Sequence, residues 1–280
     1  MNTSIQGAHQ ERADVCSAAQ TRRIAAMLDL EDATLCEGAP LPFGWHFFLL
    51  GGATRRSELR SDGFPGFGVP LPDLGLPRLL LGGRRIECQG SLRIGSDIRR
   101  SSRIAKLKEK DTPAGRIAVV DIESTLAEVD GPASIQETQT YLMLAAASGQ
   151  ASKPPASNPP EAAVIDAEFT KVITPDDTLL FQYSALGFNS HKIHLDRAYA
   201  RDIEGLPDLV VNGGLATLLV TETVRVDLGA DPIAISTRHV APLYSNRKMT
   251  IALDRSGQGW SARIYDESNI LAASMEITCK

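Results

Sequence analysis

Two of the chain's five histidines, His191 and His194, lie in the stretch Phe181–Asp196 (FQYSALGFNSHKIHLD), with Asn189 just upstream. An imidazole titrates near neutrality, so it can take a proton from water and return one. An amide beside it can orient that water but cannot act as a base. Gly187 interrupts the apolar pattern ahead of the histidines, which predicts a loop for the group rather than the interior of a long helix. Downstream, Gly213-Gly214 open the run GGLATLLVTETV, apolar nearly all round and therefore expected to be a buried helix. The first turn of such a helix offers free backbone N–H groups and the positive end of its dipole. Glycines there leave room for close approach, so the Gly213 and Gly214 amides are a candidate oxyanion hole. Blander readings stand beside these: loop histidines bonded to backbone, and a plain glycine turn before a core helix.

The surrounding elements must hold these groups. ASGQASKPPASNPPEAA (Ala147–Ala163) has two Pro-Pro pairs and no periodicity, and reads as an extended linker. It cuts the chain into an N-terminal half (1–146), the linker (147–163) and a C-terminal half (164–280). In the first half RRIAAMLDLEDATL (Arg22–Leu35) has helical spacing, and a Gly/Pro-rich passage follows from Gly51 to Leu76. The runs RRIECQGSL, SRIAKLKEK, GRIAVVDIESTLAEV and SIQETQTYLML then alternate as antiparallel strands do. In the second half the strand AEFTKVI leads directly into the histidine loop, and DRAYARDIEG is helix-like with Gly205 as its cap. The strands STRHVAPLY, KMTIALDRS, WSARIYDES and LAASMEITC close the chain. A buried helix wrapped by an antiparallel sheet, occurring twice, is the expected arrangement. The class is α+β, a double hot-dog.

A net charge of −5 gives no electrostatic footprint for nucleic acid. Cys16, Cys36, Cys88 and Cys279 form no CxxC pair, so neither a zinc site nor a disulfide framework follows from them. Reduced thiols fit a cytoplasmic setting. No apolar run approaches the roughly 20 residues that span a bilayer. The polar stretch MNTSIQGAHQERADVCSAAQTRR mixes arginines with Glu11 and Asp14. It reads as a frayed terminus, with a mitochondrial transit segment as the second reading.

The segments LPFGWHFFLL, LGGRRIECQGSLRIGSDIRRSSRI, LLFQYSALGFNSHKIHLDRAYA, GLPDLVVNGGLATLLV and RHVAPLYSNRKMTI together resemble the double hot-dog branch of the MaoC-like acyl-thioester hydratases and dehydratases. The likeness is to the mesaconyl-C4-CoA hydratase and type 2 hydroxyacyl-thioester dehydratase group, from about Leu41 to Lys280. The resemblance implies reversible addition of water across the α,β double bond of an acyl-CoA or acyl-carrier thioester. It implies no cofactor beyond that thioester and no metal. It places Asn189 as the group that orients the water and His194 as the one that moves the proton, with His191 between them. The single site would lie where the halves meet, and two fused halves form a dimer-like unit while leaving homodimerisation open. The sequence departs from the family where Val211-Asn212-Gly213 replaces Val-His-Gly, and where LLLGGRR lacks an aromatic before Gly-Gly. Asn212 therefore either positions the loop or marks a pocket turned to another reaction or to ligand binding alone. Arg84, Arg85 and Arg247 are candidates for CoA phosphates or a substrate carboxylate, against the reading of the basic run as a solvated sheet face. Trp45, His46 and His239 are read as structural, with the first two on a core strand.

Overall fold

The structure, a computed structural model, describes residues 9–31, 34–113, 115–146 and 162–280. Its strands are β1 (His9–Val15), β2 (Arg78–Gln89), β3 (Asp97–Thr112), β4 (Gly115–Glu128), β5 (Ser134–Leu144), β6 (Phe169–Ile173), β7 (Pro232–His239), β8 (Met249–Ser256), β9 (Gly259–Tyr265) and β10 (Leu271–Cys279). They form one sheet in the order β1-β3-β4-β5-β2-β7-β10-β9-β8-β6. Read inward from either edge, each half contributes its first, third, fourth, fifth and second strand, so the order is a palindrome. The halves join where β2 and β7 pair antiparallel, from Gly83 opposite Arg238 to Glu87 opposite Ala234. This is the doubled arrangement expected from the alternating runs.

Among the described residues three α-helices pack on the sheet: α1 (Ala18–Met27), α2 (Asp177–Leu186) and α3 (Gly213–Glu222). The last is apolar nearly all round, Thr217, Thr221 and Glu222 apart, and buried from Gly214 to Glu222. Between α1 and β2 the first half carries instead a largely buried 3-10 stretch, Trp45–Leu50, so among the described residues a long buried helix occurs once and not twice. The reason is local. Gly44, at φ +84°, starts the stretch and Gly51 ends it, leaving too few residues between for an α-helix to repay its nucleation. Gly44 also lies against α3: a Cβ there would sit 3.1 Å from Thr221 Oγ1. Trp45 is fully buried and donates its indole N–H to Glu222 Oε1 at 2.8 Å. Trp45 and His46 are core residues as expected, but on this turn and not on a strand.

Other expectations are also corrected. The polar N-terminal run is not frayed over residues 9–15, which form edge strand β1 along β3. The first helix starts at Ala18 behind the Ser17 cap and ends at Met27, before Asp29 at φ +54°. α2 separates β6 from the histidine loop; Asp176 caps it by accepting from the Leu179 amide at 2.8 Å. The segment read as a linker lies outside the described residues apart from Ala162 and Ala163. One apolar core runs through both halves, including Ile24, Trp45, Ile86, Leu215, Ile235 and Ile264. A smaller cluster (Phe64, Val69, Leu76, Leu79, Val120) lies under the Gly/Pro-rich passage.

Candidate functional site

α2 ends in a turn that aims the next residues back at the sheet. Gly187 is the C-cap, but the left-handed residue is Phe188, at φ +48°, and the Asn189 amide returns to Ser184 O at 2.8 Å. Asn189 Oδ1 accepts the His191 amide at 3.1 Å. That bond fixes which end of the side chain is oxygen, and leaves the Asn189 NH2 group as a donor. His194 follows on a 3-10 turn, Lys192–His194, with its Nδ1 2.7 Å from Val210 O. A carbonyl only accepts, so Nδ1 carries the proton and Nε2 holds a lone pair in the neutral ring.

Residues 60–64 of the N-terminal half strap this loop down. Ser190 Oγ donates to Gly63 O at 2.6 Å, the Lys192 amide to Asp62 O at 2.8 Å, and Lys192 Nζ to Ser61 O at 2.7 Å. Asp62 is buried with its carboxylate 3.8 Å from His191 Nε2. The His191 ring stands perpendicular to that of His194, centroids 5.5 Å apart.

The loop forms one wall of a cavity of about 340 Å³ that reaches the start of α3. Asn189, His191, His194, Asn212, Gly213, Gly214 and Arg84 all line it, as do Tyr183 and His239. Helix geometry leaves the first α3 amides without acceptors within the helix; the first bond back runs from the Ala216 amide to Asn212 O, at 3.0 Å. Gly214 is packed against the Tyr183 hydroxyl so closely that any Cβ would collide with it. Asn212 Nδ2 donates to Ser184 Oγ at 3.2 Å, which ties α3 to α2, while its Oδ1 is buried without a partner.

Behind this wall lies a buried ionic cluster. Glu137 on β5 lies 2.7 Å from His46 Nε2 and 2.8 Å from Arg84 Nε, and also accepts from Gln139 Nε2 at 2.7 Å. Burial alone would raise the Glu137 carboxyl, but Arg84 and His46 hold it below the usual carboxylate range. The Arg84 charge also acts on Tyr183, whose phenol burial keeps protonated.

The three candidate arginines separate. Arg84 reaches the cavity. Arg85, the next residue on β2, points to the other face and pairs with Glu87 at 2.5 Å in the open, as strand alternation requires. Arg247 is also away from the cavity, paired with Glu267 at 2.7 Å and stacked on Tyr244. Several lining residues were not singled out from sequence, among them Tyr183, inside a helix that pattern did not separate from the loop, Arg78, Gln139 and Tyr141, while His239 was read as structural. A Thr237/His239 alternation on the strand was the available signal.

Burial, with His191 beside it, pushes His194 down to about 3. Burial and the Arg84 charge push His239 down to about 4. Both folded values lie below the unfolded value of about 6.5. The unfolded chain therefore binds more protons between the two, and the stability these rings contribute is full above pH 6.5 and lost as pH falls. Urea unfolding at pH 7 and pH 5 should show a loss of roughly 2–4 kcal/mol, in a window above the carboxylate range. An unchanged midpoint would contradict the neutral, desolvated state of these rings.

The profile of the hydroxyacyl-thioester dehydratase type 2 family matches residues 44–245. The chain is 32% identical over 266 residues to mesaconyl-C(4)-CoA hydratase of Chloroflexus aurantiacus, covering 94% of this chain and 93% of that protein. Among solved structures, a MaoC-like dehydratase of Phytophthora capsici superposes with TM-score 0.71 at 12% identity, over 99% of this chain and 97% of its own. A double hot-dog protein of Mycobacterium tuberculosis does so with TM-score 0.60 at 11% identity, over 98% and 96%. These two bear on the fold alone. With its profile match and a full-length relative, the chain belongs to the hydroxyacyl-thioester dehydratase type 2 family.

Proposed function

We propose that the protein is a hydro-lyase that adds water to, or removes it from, the α,β double bond of an acyl-CoA thioester. The observation that carries this is His194 in the cavity wall, its Nδ1–H committed to Val210 O. It is a neutral base facing the cavity that also receives the first turn of α3. The Asn189 NH2 group donates to the water and His194 Nε2 accepts its proton. The water oxygen bonds to the β-carbon, and the π electrons move onto the thioester oxygen as an enolate. The Gly213 and Gly214 amides and the α3 dipole stabilise that charge. The proton on His194 then passes to the α-carbon, the thioester oxygen becomes a carbonyl again, and the base is restored. His191 keeps the loop in register between Asp62 and His194.

The acyl group is a short branched dicarboxylic one, like that in the name of the Chloroflexus relative, or a 3-hydroxyacyl chain. Delivery is by CoA or a carrier protein, with no redox cofactor. One cavity formed where the halves meet is sufficient, so a homodimer is not required for the chemistry. Free thiols suit the cytoplasm or a mitochondrial matrix. Among the described residues no helix is long and apolar enough to cross a membrane.

The test is incubation of the purified protein with mesaconyl-C4-CoA and a panel of 2-enoyl-CoA thioesters, following loss of enoyl absorbance. Loss confirms hydration and ranks the acyl groups. Silence across the panel, with a folded protein, favours the reading in which Asn212 marks an altered pocket.

A further inference from the structure

The hydration chemistry leaves one hydrogen of the attacking water without a partner. A water offers two hydrogens and two lone pairs. The Asn189 NH2 group donates to one lone pair, the other attacks the β-carbon, and His194 Nε2 takes one hydrogen. The second hydrogen needs an acceptor on the cavity wall, since a polar group stripped of solvent and left unpaired is costly.

Asn212 is 3% exposed and lines the cavity, and its Oδ1 is buried without a partner. It stands at the N-cap of α3, where an Asn ordinarily turns its oxygen back onto an amide of the first turn. No such bond forms here; the side chain goes to α2 instead, through Nδ2 to Ser184 Oγ at 3.2 Å. That leaves the first-turn amides open to the thioester oxygen, and Oδ1 in the cavity wall with nothing to accept. The two residues that hold the water hang from the same points. Ser184 O accepts the Asn189 amide at 2.8 Å, so Ser184 anchors both asparagines. Val210 O takes His194 Nδ1 at 2.7 Å and the Val210 amide donates to Ile193 O at 2.9 Å, which zips the histidine turn onto the segment that ends at Asn212. His239 Nε2 is also unpartnered, but it comes from β7, and among the described residues no hydrogen bond ties it to this group.

We propose that Asn212 is a further catalytic residue: its Oδ1 accepts the second hydrogen of the water that adds to the double bond, and then the hydroxyl hydrogen of the 3-hydroxyacyl thioester formed. This rests on the hydration reading of the same cavity, which it deepens. Three contacts hold the water, and the lone pair left over is the one aimed at the β-carbon. The hydrogen on His194 passes to the α-carbon. The hydrogen on Asn212 stays on oxygen throughout and becomes that of the product hydroxyl.

The test compares wild type, Asn212→Leu and Asn212→Asp, the last of which keeps an oxygen acceptor. An enoyl thioester carries no hydroxyl, so in hydration Asn212→Leu should lower kcat by about tenfold to a hundredfold while KM changes by less than about twofold. Calorimetric binding of 3-hydroxybutyryl-CoA against butyryl-CoA reads the contact without turnover. Wild type should prefer the hydroxylated ligand by about tenfold, Asn212→Leu should lose that preference, and Asn212→Asp should keep most of it. That pattern upholds the acceptor even if no enoyl thioester reacts, in which case hydration alone falls. No preference in wild type, an equal preference in Asn212→Leu, or its loss in both variants alike overturns the proposal. If His239→Leu is the variant that loses it, the acceptor is His239 Nε2 and the proposal is likewise overturned. Asn212→Ala, which removes the same oxygen without added bulk, takes the place of Asn212→Leu should thermal melting show the leucine variant unfolded.

Discussion

Replacing His194 by alanine is expected to cut turnover of an enoyl thioester by about a hundred- to ten-thousand-fold, the range that a positioned general base supplies. The fold should survive. The substitution removes one neutral hydrogen bond to Val210 O, worth about 1 kcal/mol. It also removes a ring that burial already holds in its neutral form at some cost. The side chain lines a cavity, so truncation enlarges existing space and does not open a void in the core. Stopped turnover with a melting temperature lowered by only a few degrees is therefore the expected pair of results; full activity in the variant would remove His194 from the mechanism. The pH profile is an independent check. Because the free enzyme holds His194 at about 3, kcat/KM should stay flat as pH falls from 8 towards 5.5. A limb near 6.5 would mean that water reaches and charges the ring.

How much of this was legible in the sequence depends on the range of the interaction. Strand alternation and turn residues act locally, so β4, β5 and β8 to β10 could be read within a few residues. The grouping of Asn189 and His194 was also legible, since a glycine break and their close spacing suffice. What holds them was not. Val210 O, Gly63 O and Asp62 reach the loop from distant chain positions, and no local pattern encodes those contacts. Arg84 and Arg85 are the same residue type side by side, and only the β2 register decides which one faces inward. β1 was missed because an edge strand exposed on both sides shows little apolar alternation. α2 was missed although Pro175 and Asp176 signal its start, because the apolar residues of DTLLFQYSAL do not keep to one face: Leu180 and Tyr183 are buried while Phe181 is exposed.

Glu137→Leu should be strongly destabilising, by about 3–5 kcal/mol, since it leaves Arg84 as an uncompensated cation in a buried site. Arg84 is 7% exposed and Glu137 1%, so water cannot take over the lost partner. Equilibrium unfolding in urea would read the loss directly. Glu137→Gln keeps the shape and one acceptor and should cost less, though Arg84 still loses its counter-charge. The double variant Glu137→Leu/Arg84→Met removes both charges, and should regain much of the stability that the single change loses. Activity should not return with it. Arg84 reaches from the N-terminal half to the start of α3, acting on Tyr183 and approaching Gly214. Stability restored while turnover stays low would show that the cluster is kept for the cavity it shapes. If the double variant is no more stable than Glu137→Leu, the cost lies in packing around β5 and not in an unpaired charge.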